Sequence, residues 1–532
     1  MTLQNSEFSA GTALEEARLA LQRQLDSQKT QKQRNTLGQF ATPTGLASQI
    51  LAYAKTLIPP TERISFLDPA IGTGSFYSAL KHHFEDERIS KAEGFEIDPH
   101  YAEPSVNFWH SSGLRMRVAD FTIAEAPLGA DKPNLIICNP PYVRHHHLDS
   151  SAKARLGERA AVSVGIAVSG LAGLYCYFMA IAHTWLADDG LAGWLIPSEF
   201  MDVNYGGFVR KYLTDCVELI RLHRFDPTEL QFGDAQVSSV VVWFRKRRPS
   251  PSHVAELTYG GDLFTPLHAR SVPVEELRAS DKWSGLAQGL RREDSKLRLS
   301  DLFQIKRGLA TGDNKFFVLS EEQAFDLRLP RRYLRPVLPS PRYLASDTVD
   351  SDAEGLPLLT PRRLLVDCNL SEEELPQASP ELAEYFQKGR KRALETYLCS
   401  RRTPWYSQEQ RPPAPIVCTY MGRGLESRER PFRFILNRSK ATALNVYLML
   451  YPTMRLREAM ILDPSLIERI WRSLNQTPPS VLLGEGRVYG GGLYKMEPKE
   501  LANLPIDQML ISLGEHKSMA ETQRELFPRL VA

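Results

Sequence analysis

The sequence has few cysteines and no long apolar run, and both absences limit the class of protein it can be. Its six cysteines are scattered over 532 residues without a CxxC pair, which predicts reduced thiols and disfavours a structural zinc site. No stretch approaches roughly 18 consecutive apolar residues, and the N-terminus lacks a charged segment followed by an apolar one. We therefore expect no membrane span, no secretory signal and a cytoplasmic location.

An excess of charge of one sign is also lacking over the whole chain, but not locally. The 65 basic and 63 acidic residues leave a net charge of +2, which identifies no partner. Residues 388–440, however, contain 13 Lys and Arg against 4 Asp and Glu, with aromatic residues between them. Such a segment is typical of a surface that contacts nucleic-acid phosphates, although a solvated arginine-rich face would have the same composition.

The length and the hydrophobic pattern predict more than one domain. An N-terminal helical segment is expected over residues 1–35. Residues 36–250 then alternate short apolar strands with helices, as in a doubly wound α/β domain with a mostly parallel sheet. Prolines and serines punctuate residues 245–253, so that 251–300 is predicted to be a connector and 301–532 a separate α+β module.

A glycine-rich turn follows the first predicted strand, in LDPAIGTGSF at residues 67–76. A strand that runs into such a turn and then a helix allows the backbone to approach a nucleotide-like ligand. The dinucleotide pattern G-x-G-x-x-G and the P-loop Gly-Lys-Ser/Thr are both missing, which disfavours nicotinamide-dependent hydride transfer and nucleotide hydrolysis. With only Gly72 and Gly74, the turn by itself is a weak motif.

Two acidic residues end the next predicted strands and can complete a nucleoside pocket. Glu96, in GFEIDPH, can accept two hydrogen bonds from ribose hydroxyls, although an acidic residue there can instead cap the following helix. Asp120, in VADFT, can accept from an exocyclic amine while the neighbouring Phe121 covers the base. All three elements lie at the carboxyl ends of successive strands, where open α/β sheets bind ligands.

The segment NLIICNPPYVR, residues 134–144, is the most informative signal. Its strand delivers Asn139, and Pro140 and Pro141 fix the backbone that follows. The Asn139 side-chain oxygen and the Pro140 carbonyl can accept both hydrogens of one planar NH2 group, which frees the nitrogen lone pair for attack on a sulfonium methyl group. Tyr142 can stack on the ring that bears the amine. A tight Pro-Pro turn after a buried strand is the purely structural alternative.

In this order the motifs resemble those of class I S-adenosylmethionine-dependent DNA amino-methyltransferases, in particular the adenine-specific gamma class (TaqI-like, with the NPPY motif) of Type II restriction–modification systems. GQFATP at 38–43 is similar to the opening cofactor motif of that class, and LDPAIGTGSF, GFEID, ADFT and NPPY follow in the gamma order. The resemblance implies a Rossmann-like catalytic domain that binds S-adenosylmethionine, a C-terminal α+β target-recognition domain, and no metal. Asp68 stands where many relatives have Glu, and either can contact the cofactor.

The resemblance also implies which residues bind the cofactor and the DNA. The expected cofactor residues are Phe40, Thr42, Pro43, Asp68, Ala70, Gly72, Gly74, Glu96, Ile97, Asp120, Phe121 and Asn139. Methylation of adenine N6 in duplex DNA requires the base to be flipped out of the helix, and Tyr142 and Phe232 are expected to sandwich it. IKRGLATGDNKFF and RVYGGGLYKMEPKEL resemble the opening and closing segments of the target-recognition region. The candidate DNA contacts are Arg144, Lys306, Arg307, Lys315, Arg401 and Arg402.

Other functions remain open from the sequence. A bifunctional restriction enzyme–methyltransferase needs a nuclease domain, for which residues 1–37 are too few, and 254–532 contain no convincing PD…(D/E)xK cluster. NPPY also occurs in enzymes that methylate RNA bases or a protein glutamine, and a non-catalytic DNA-binding protein can keep the fold. The expected partners are double-stranded DNA and a separate cognate restriction endonuclease in a prokaryotic cytoplasm, and the expected state is a monomer.

Overall fold

The computed structural model describes residues 2–143, 148–227, 238–287, 297–423, 430–489 and 493–506. The chain divides into two units, one formed by Met1–Arg292 with Tyr489–Gly491 and the other by Glu293–Val488 with Gly492–Ala532. Within the described ranges, no helix is both long enough and apolar enough to span a membrane.

The first unit alternates helices and strands around a nine-stranded sheet. In chain order its helices are α1 (Thr2–Ser27), α2 (Gln31–Leu37), α3 (Thr44–Leu57), α4 (Ser75–His83), α5 (Pro99–Trp109), α6 (Ser150–Val164), α7 (Leu174–Trp185), α8 (Gly207–Lys211), α9 (Val274–Ala279) and α10 (Ser284–Ala287). Its strands are β1 (Ile64–Asp68), β2 (Ile89–Glu96), β3 (Leu114–Val118), β4 (Leu135–Cys138), β5 (Leu191–Pro197), β6 (Glu218–Arg224), β7 (Ser239–Arg245), β8 (Val254–Gly261) and β9 (Pro266–Pro273).

The sheet has the strand order β3-β2-β1-β4-β5-β7-β6-β8-β9. Strands β1 to β5 pair in parallel, and β7 is antiparallel to both of its neighbours. This is the doubly wound, mostly parallel α/β arrangement that the alternating pattern predicts. The strand order reverses between β1 and β4. In sheets of this kind, ligands bind in the crevice outside the carboxyl ends of the strands, at the point where the order reverses.

Two hydrophobic clusters cover the two faces of the sheet. Successive residues of β4 alternate between them, since Ile136 belongs to one cluster and Leu135 and Ile137 to the other. All four residues of β4 and all seven of β5 are buried, as expected for parallel strands with helices on both faces. The core therefore holds the carboxyl ends of these central strands in fixed positions.

Two further strands, β8 and β9, lie in the range 251–300 that the sequence analysis describes as a connector. β8 pairs in parallel with β6, and β9 pairs antiparallel with β8 at the edge of the sheet. β9 has only one buried residue, because an edge strand buries little side-chain surface. Its sequence, PLHARSVP, accordingly lacks the apolar alternation that identifies a strand.

The described residues between 297 and 506 form three smaller sheets with helices between the strands, an α+β arrangement. Its helices are α11 (Leu299–Leu302), α12 (Asn314–Phe317), α13 (Glu321–Asp326), α14 (Leu375–Ala378), α15 (Pro380–Leu394), α16 (Met454–Leu462), α17 (Leu466–Gln476), α18 (Pro479–Glu485) and α19 (Pro498–Ala502). Its strands are β10 (Phe303–Arg307), β11 (Val318–Ser320), β12 (Leu334–Val337), β13 (Thr348–Val349), β14 (Arg363–Val366), β15 (Ile416–Thr419), β16 (Met421–Arg423), β17 (Phe434–Asn437), β18 (Tyr447–Pro452), β19 (Arg487–Tyr489) and β20 (Leu493–Lys495). The sheets have the orders β10-β18-β15-β17-β13, β11-β14-β12 and β16-β20-β19.

Candidate functional site

A cavity of about 380 Å³ lies at the carboxyl ends of the central strands of the first unit. This volume is within the range of small-molecule sites, roughly 300–1,000 Å³. Ten of the twelve predicted cofactor residues line the cavity, and the exceptions are Pro43 and Gly74. Within the described ranges, no three His, Cys, Asp or Glu side chains are grouped to hold a metal ion.

The glycine turn between β1 and α4 forms one wall of the cavity. Gly72 (φ +54°) and Gly74 (φ +91°) both have the left-handed conformation that favours glycine. A Cβ on Gly74 would lie 2.5 Å from the indole nitrogen of Trp109, whereas a Cβ on Gly72 would meet no atom within 4 Å. Gly74 therefore allows close packing against α5, and Gly72 leaves open space at the cavity wall.

Glu96 ends β2, and the backbone fixes its carboxylate at the cavity. It accepts the backbone N–H of Gly72 at 3.1 Å and that of Asp98 at 2.9 Å. Burial raises the pKa of Glu96. The alternative role considered for Glu96, capping the following helix, is filled by Asp98, whose side chain accepts the backbone N–H of His100 at the start of α5.

Asp120 lies after β3 with one carboxylate oxygen engaged in its own turn. Oδ1 accepts from the backbone N–H of Thr122 at 2.8 Å and from the Thr122 hydroxyl at 2.7 Å. Oδ2 forms a long ion pair with Arg155 of α6, at 3.8 Å. Arg155 lines the cavity as well, and no motif in the sequence singles it out, because it belongs to a helix without a recognisable cofactor pattern.

The two apolar residues that are predicted beside the cofactor, Phe121 and Ile97, differ in exposure. Phe121 is 1% exposed and packs against the rings of Phe95 and Trp185, with centroids 5.4 and 5.2 Å away. Ile97 is 61% exposed although it lines the cavity. Phe121 is therefore part of the fixed wall, and Ile97 is the apolar side chain with surface left to cover a ligand.

Asp68, at the end of β1, is the most deeply buried carboxyl group of the cavity. It is 1% exposed and accepts the backbone N–H of Ala70 at 3.1 Å. Burial raises the pKa of Asp68 to about 8, and the nearby charge of Glu96 and a hydrogen bond with the Cys138 thiol also act on it. Burial therefore favours the protonated form of Asp68 more than that of an exposed aspartate.

Asn139 follows β4, and two hydrogen bonds orient its amide. Nδ2 donates to the carbonyl of Phe40 and to the hydroxyl of Thr42, both at 3.1 Å. Because a carbonyl only accepts, the amide nitrogen must face Phe40 and the oxygen must face the other way. Oδ1 is buried and has no hydrogen-bond partner among the described residues. Buried acceptors without a partner are uncommon in folded proteins, so this oxygen is free to bind a donor on a ligand.

The GQFATP segment packs directly on the NPPY backbone. Gly38 (φ +66°) has no room for a side chain, since a Cβ there would lie 2.5 Å from the backbone nitrogen of Tyr142. The Phe40 ring lies 6.3 Å from the Tyr142 ring. Pro43, outside the cavity, is the residue that precedes α3. Sequence reasoning did not single out Gly38, although a glycine that opens this motif is the signal that could have found it.

The ring predicted to stack on the target base is fixed by a main-chain contact. The Tyr142 hydroxyl donates to the carbonyl of Leu195 in β5 at 3.1 Å, and burial raises the pKa of Tyr142 so that the hydroxyl keeps its proton. Tyr142 is not one of the residues that line the cavity. Phe232, its predicted counterpart, and Arg144, a predicted DNA contact, lie outside the described residues.

Three of the predicted DNA contacts are exposed basic residues on β10 and α12 of the second unit. Lys306, Arg307 and Lys315 are all exposed. The Arg307 guanidinium lies 4.0 Å from the centre of the Tyr420 ring, and its Nε donates to the carbonyl of Asn445 at 3.1 Å. Arg307 thus makes contacts within its own unit, whereas the side chains of the two lysines are exposed to solvent.

The neighbouring arginines Arg401 and Arg402 have different surroundings. Arg402 donates to the carbonyls of Ala310 and Thr311, at 2.6 and 2.7 Å, and so holds the loop ATGDN in place. Arg401 is exposed and lies 5.2 Å from the centre of the Tyr397 ring. The structure therefore places Arg402 in a supporting position and leaves Arg401 accessible.

Helix α1 forms a further wall of the cavity that the sequence analysis did not predict. Gln22 and Asp26 of this helix line the cavity. Arg18, which is 1% exposed, donates to the Thr73 hydroxyl of the glycine turn at 2.8 Å and pairs with Glu15 at 2.6 Å. Hydrophobic periodicity predicts that such a helix has a buried face, but it does not say what that face packs against.

Two family models match the chain. The one described as "Eco57I restriction-modification methylase" matches residues 79–230, and the one described as "Type II methyltransferase M.Eco57I, C-terminal domain" matches residues 279–527. The first range lies within the unit that contains the cavity. Most of the second range lies in the other unit.

Similar full-length proteins cover most of the chain. Type II methyltransferase M.XamI of Xanthomonas campestris pv. amaranthicola is 29% identical over 484 residues, which are 89% of this chain and 85% of that protein. Type II methyltransferase M.AccI of Acinetobacter calcoaceticus is 24% identical over 502 residues, 90% of this chain and 86% of that protein. A solved structure that is similar to this chain is that of the Type IIL restriction-modification enzyme MmeI in complex with DNA. The match has a TM-score of 0.51 at 13% identity, and it covers 92% of this chain and 67% of the MmeI chain. This last likeness supports the fold, a mixed α/β architecture with a central sheet.

Proposed function

We propose that this chain, which is similar to Type II restriction–modification methyltransferases over most of its length, transfers a methyl group from S-adenosylmethionine to the N6 amine of an adenine in double-stranded DNA. The observation that carries the proposal is the Asn139 amide, whose oxygen is buried and has no partner among the described residues. Its nitrogen is held by Phe40 and Thr42, which line the cavity. An acceptor that is fixed but unpaired suits an amine that arrives with the substrate.

The chemistry of the cavity fits S-adenosylmethionine. Glu96 offers a fixed carboxylate for ribose hydroxyls, Asp120 keeps one oxygen for an adenine amine, and Ile97 exposes apolar surface for a ring. Gly72 leaves open space where a side chain would otherwise stand. When bound, S-adenosylmethionine supplies an electrophilic methyl group on a positively charged sulfur. The acidic cavity wall is compatible with that charge.

Asn139 and Pro140 are the residues that we assign to the target amine. Oδ1 of Asn139 and the carbonyl of Pro140 are acceptors, and two acceptors on one NH2 group draw its nitrogen away from conjugation with the ring. Tyr142, fixed through Leu195, can stack on the base that bears the amine. The proton that the amine loses can pass to water, so these residues need to orient the amine but not to remove a proton from it.

The second unit and its basic surface are assigned to the DNA. Adenine N6 is inaccessible in a stacked duplex, so the base must be flipped out, which costs a few kcal/mol. We propose that Tyr142 and Phe232 hold the flipped base and that Arg144, Lys306, Lys315 and Arg401 contact the DNA. The exposure of Lys306, Lys315 and Arg401 supports this role. A separate restriction endonuclease that reads the same site would complete the restriction–modification system.

The test is methyl transfer from labelled S-adenosylmethionine to unmethylated genomic DNA, followed by mass spectrometry of the nucleosides. N6-methyladenine is the expected product. N4-methylcytosine would contradict the assignment of the base while leaving the assignment of the amine-binding residues intact. Label transferred only to RNA or protein would contradict the assignment of DNA as substrate.

A further inference from the structure

We propose that helix α1 is part of the cofactor site and that Asp26 accepts the α-ammonium group of the amino-acid moiety of the cofactor. The inference rests on the proposed function, since it concerns the same cavity. Asp26 lies outside the motifs from GQFATP to NPPY and outside the ranges that the two family models match. It nevertheless lines the cavity together with Gln22, one helical turn earlier.

The middle of α1 is anchored to the glycine turn by buried polar groups. The Thr73 hydroxyl accepts from Arg18 and donates to Gln22. Arg18 is 1% exposed, and its Nε and Nη2 donate to Glu15, which also accepts from the Thr44 hydroxyl. Removing a partner from such a buried charged network leaves an unpaired group, which is strongly unfavourable. The position of α1 over the glycine turn is therefore specific.

The C-terminal part of α1 is anchored to α5, and these contacts orient Asp26. The Tyr101 hydroxyl donates to Oδ1 of Asp26 at 2.8 Å, and Gln22 donates to Oδ2 at 3.0 Å. His100 donates a ring N–H to the carbonyl of Leu25 at 2.9 Å. The two donors on Asp26 are neutral, so they orient the carboxylate without cancelling its charge.

Among the side chains that the structure describes, the cations near Asp26 compensate its charge incompletely. Its ion pair with Arg34 is long, at 3.9 Å, and Lys29 pairs with Asp98 instead. The Asp26 side chain is 27% exposed although it belongs to a cavity wall. A carboxylate that is oriented, accessible and weakly paired is suited to a cationic group on a ligand.

Comparison with the other acidic groups of the cavity favours Asp26 for the ammonium. Four carboxyl groups line the cavity, those of Asp26, Asp68, Glu96 and Asp120. Glu96 and Asp120 are assigned to the ribose and the adenine. Asp68 is 1% exposed and burial raises its pKa, so it offers the cavity less accessible surface and less charge than Asp26, whose side chain is 27% exposed. Asp26 is the remaining one of the four.

The test compares two ligands that differ in the amino-acid moiety. S-adenosylhomocysteine contains the thionucleoside with the ammonium and carboxylate groups of its amino-acid moiety, whereas methylthioadenosine contains the thionucleoside with a methyl group in place of that moiety. Isothermal titration calorimetry would measure both dissociation constants for the wild-type protein, for Asp26→Asn and for Asp26→Glu. We expect Asp26→Asn to weaken S-adenosylhomocysteine binding by about tenfold, as for a lost charged hydrogen bond, and to leave methylthioadenosine binding unchanged. Asp26→Glu, which keeps the charge, should recover part of the affinity.

Glu96→Gln is the matched control, because the ribose is present in both ligands and both should bind more weakly. Equal weakening of the two ligands by Asp26→Asn would overturn the inference, since α1 would then only shape the cavity. Unchanged binding of S-adenosylhomocysteine would overturn it as well. If the wild-type protein bound neither ligand, the proposed function itself would fail, and the inference with it. Thermal melting of both Asp26 variants without ligand separates these outcomes from a loss of fold.

Discussion

Replacement of Asn139 by Ala is the most direct perturbation of the proposed site. It removes the buried Oδ1 that we assign to the target amine and leaves every carboxylate of the cofactor cavity in place. Loss of one fixed hydrogen-bonding group that acts in the transition state typically lowers kcat by about 10²–10³-fold, or about 2.7–4 kcal/mol. We expect a loss of this size in single-turnover methyl transfer.

The same substitution also has a structural cost that must be measured separately. The Asn139 amide donates at 3.1 Å to both Phe40 and Thr42, and Ala removes both bonds. Each is worth about 0.5–1.5 kcal/mol net, so we expect the free energy of unfolding to fall by about 1–3 kcal/mol. Thermal melting of the ligand-free variant measures this loss of stability. The kinetic assays are run well below the melting temperature, so that unfolding does not lower the measured rate of methyl transfer.

Cofactor affinity is the readout that can refute the reasoning. S-adenosylhomocysteine should bind to Asn139→Ala within about threefold of the wild-type affinity, because the substitution changes none of the four carboxyl groups that line the cavity. A loss of affinity that matches the loss of rate would mean that Asn139 acts on the cofactor. A rate within tenfold of wild type would mean that its oxygen does not bind the target amine.

Three further predictions concern the packing of Gly38, the two neighbouring arginines Arg401 and Arg402, and the buried carboxyl group of Asp68. Gly38→Ala should lower both the melting temperature and the methylation rate, since its Cβ would lie 2.5 Å from the NPPY backbone and Gly38 has a positive φ. Gly45→Ala in α3 is the control, because a Cβ at Gly45 meets no atom within 4 Å. Equal effects of the two substitutions would contradict the proposed packing of Gly38. Arg401→Gln should reduce the salt dependence of DNA binding without changing the melting temperature. Arg402→Gln should lower the melting temperature instead, because two loop carbonyls lose their hydrogen-bond donor, which should reduce the free energy of unfolding by about 1–3 kcal/mol. Identical behaviour of the two arginine variants would contradict the assignment of Arg402 to the fold and of Arg401 to the DNA. Burial raises the pKa of Asp68 to about 8, above the value of about 3.9 in the unfolded chain. Between these two pH values the folded state keeps a proton that the unfolded state has lost, so the free energy of unfolding falls as the pH rises from about 4 to about 8. The melting temperature of Asp68→Asn should therefore rise relative to wild type between pH 5 and pH 8, and a constant difference would contradict the raised pKa.

The central sheet was predictable because its strands are buried on both faces. In β4 and β5 nearly every residue is apolar, and such runs stand out in any window of sequence. β9 gives no such signal, because it pairs at the edge and most of its side chains remain outside the core. The edge position explains why β9 was missed but not β8, which lies in the same predicted connector although four of its eight residues are buried.

The site was predictable where strands deliver its residues and not where helices do. Glu96 and Asp120 follow β2 and β3, and parallel topology brings their carboxyl ends together at one edge of the sheet. Asp26 and Arg155 belong to α1 and α6, and their place at the cavity depends on how each helix packs on the sheet. Periodicity identifies the buried face of a helix, but the partner of that face is a property of the tertiary structure.

One side chain links the cavity wall to Asn139, the residue that we assign to the target amine. Thr42 is 6% exposed and lines the cavity, and its hydroxyl accepts from the amide of Asn139, whose other end is the unpaired Oδ1. A shift of the GQFATP segment when the cofactor binds would therefore rotate the acceptor that meets the target base. The Asn139 amide would therefore couple the proposed binding of the cofactor to the proposed binding of the target base.

Thr42→Val and Thr42→Ser test this coupling. Val keeps the shape of threonine but removes the hydroxyl, which leaves one N–H of Asn139 without its acceptor and its amide held by the carbonyl of Phe40 alone. The cost of an unpaired buried donor is about 1–3 kcal/mol. We expect Thr42→Val to lower the single-turnover rate by about tenfold with little change in S-adenosylhomocysteine affinity, and Thr42→Ser to retain most of the rate because its hydroxyl can still accept. If Val and Ser were equally active, the hydroxyl would play no part in holding Asn139. If both lost cofactor affinity in proportion to rate, Thr42 would act on the cofactor and not through the amide.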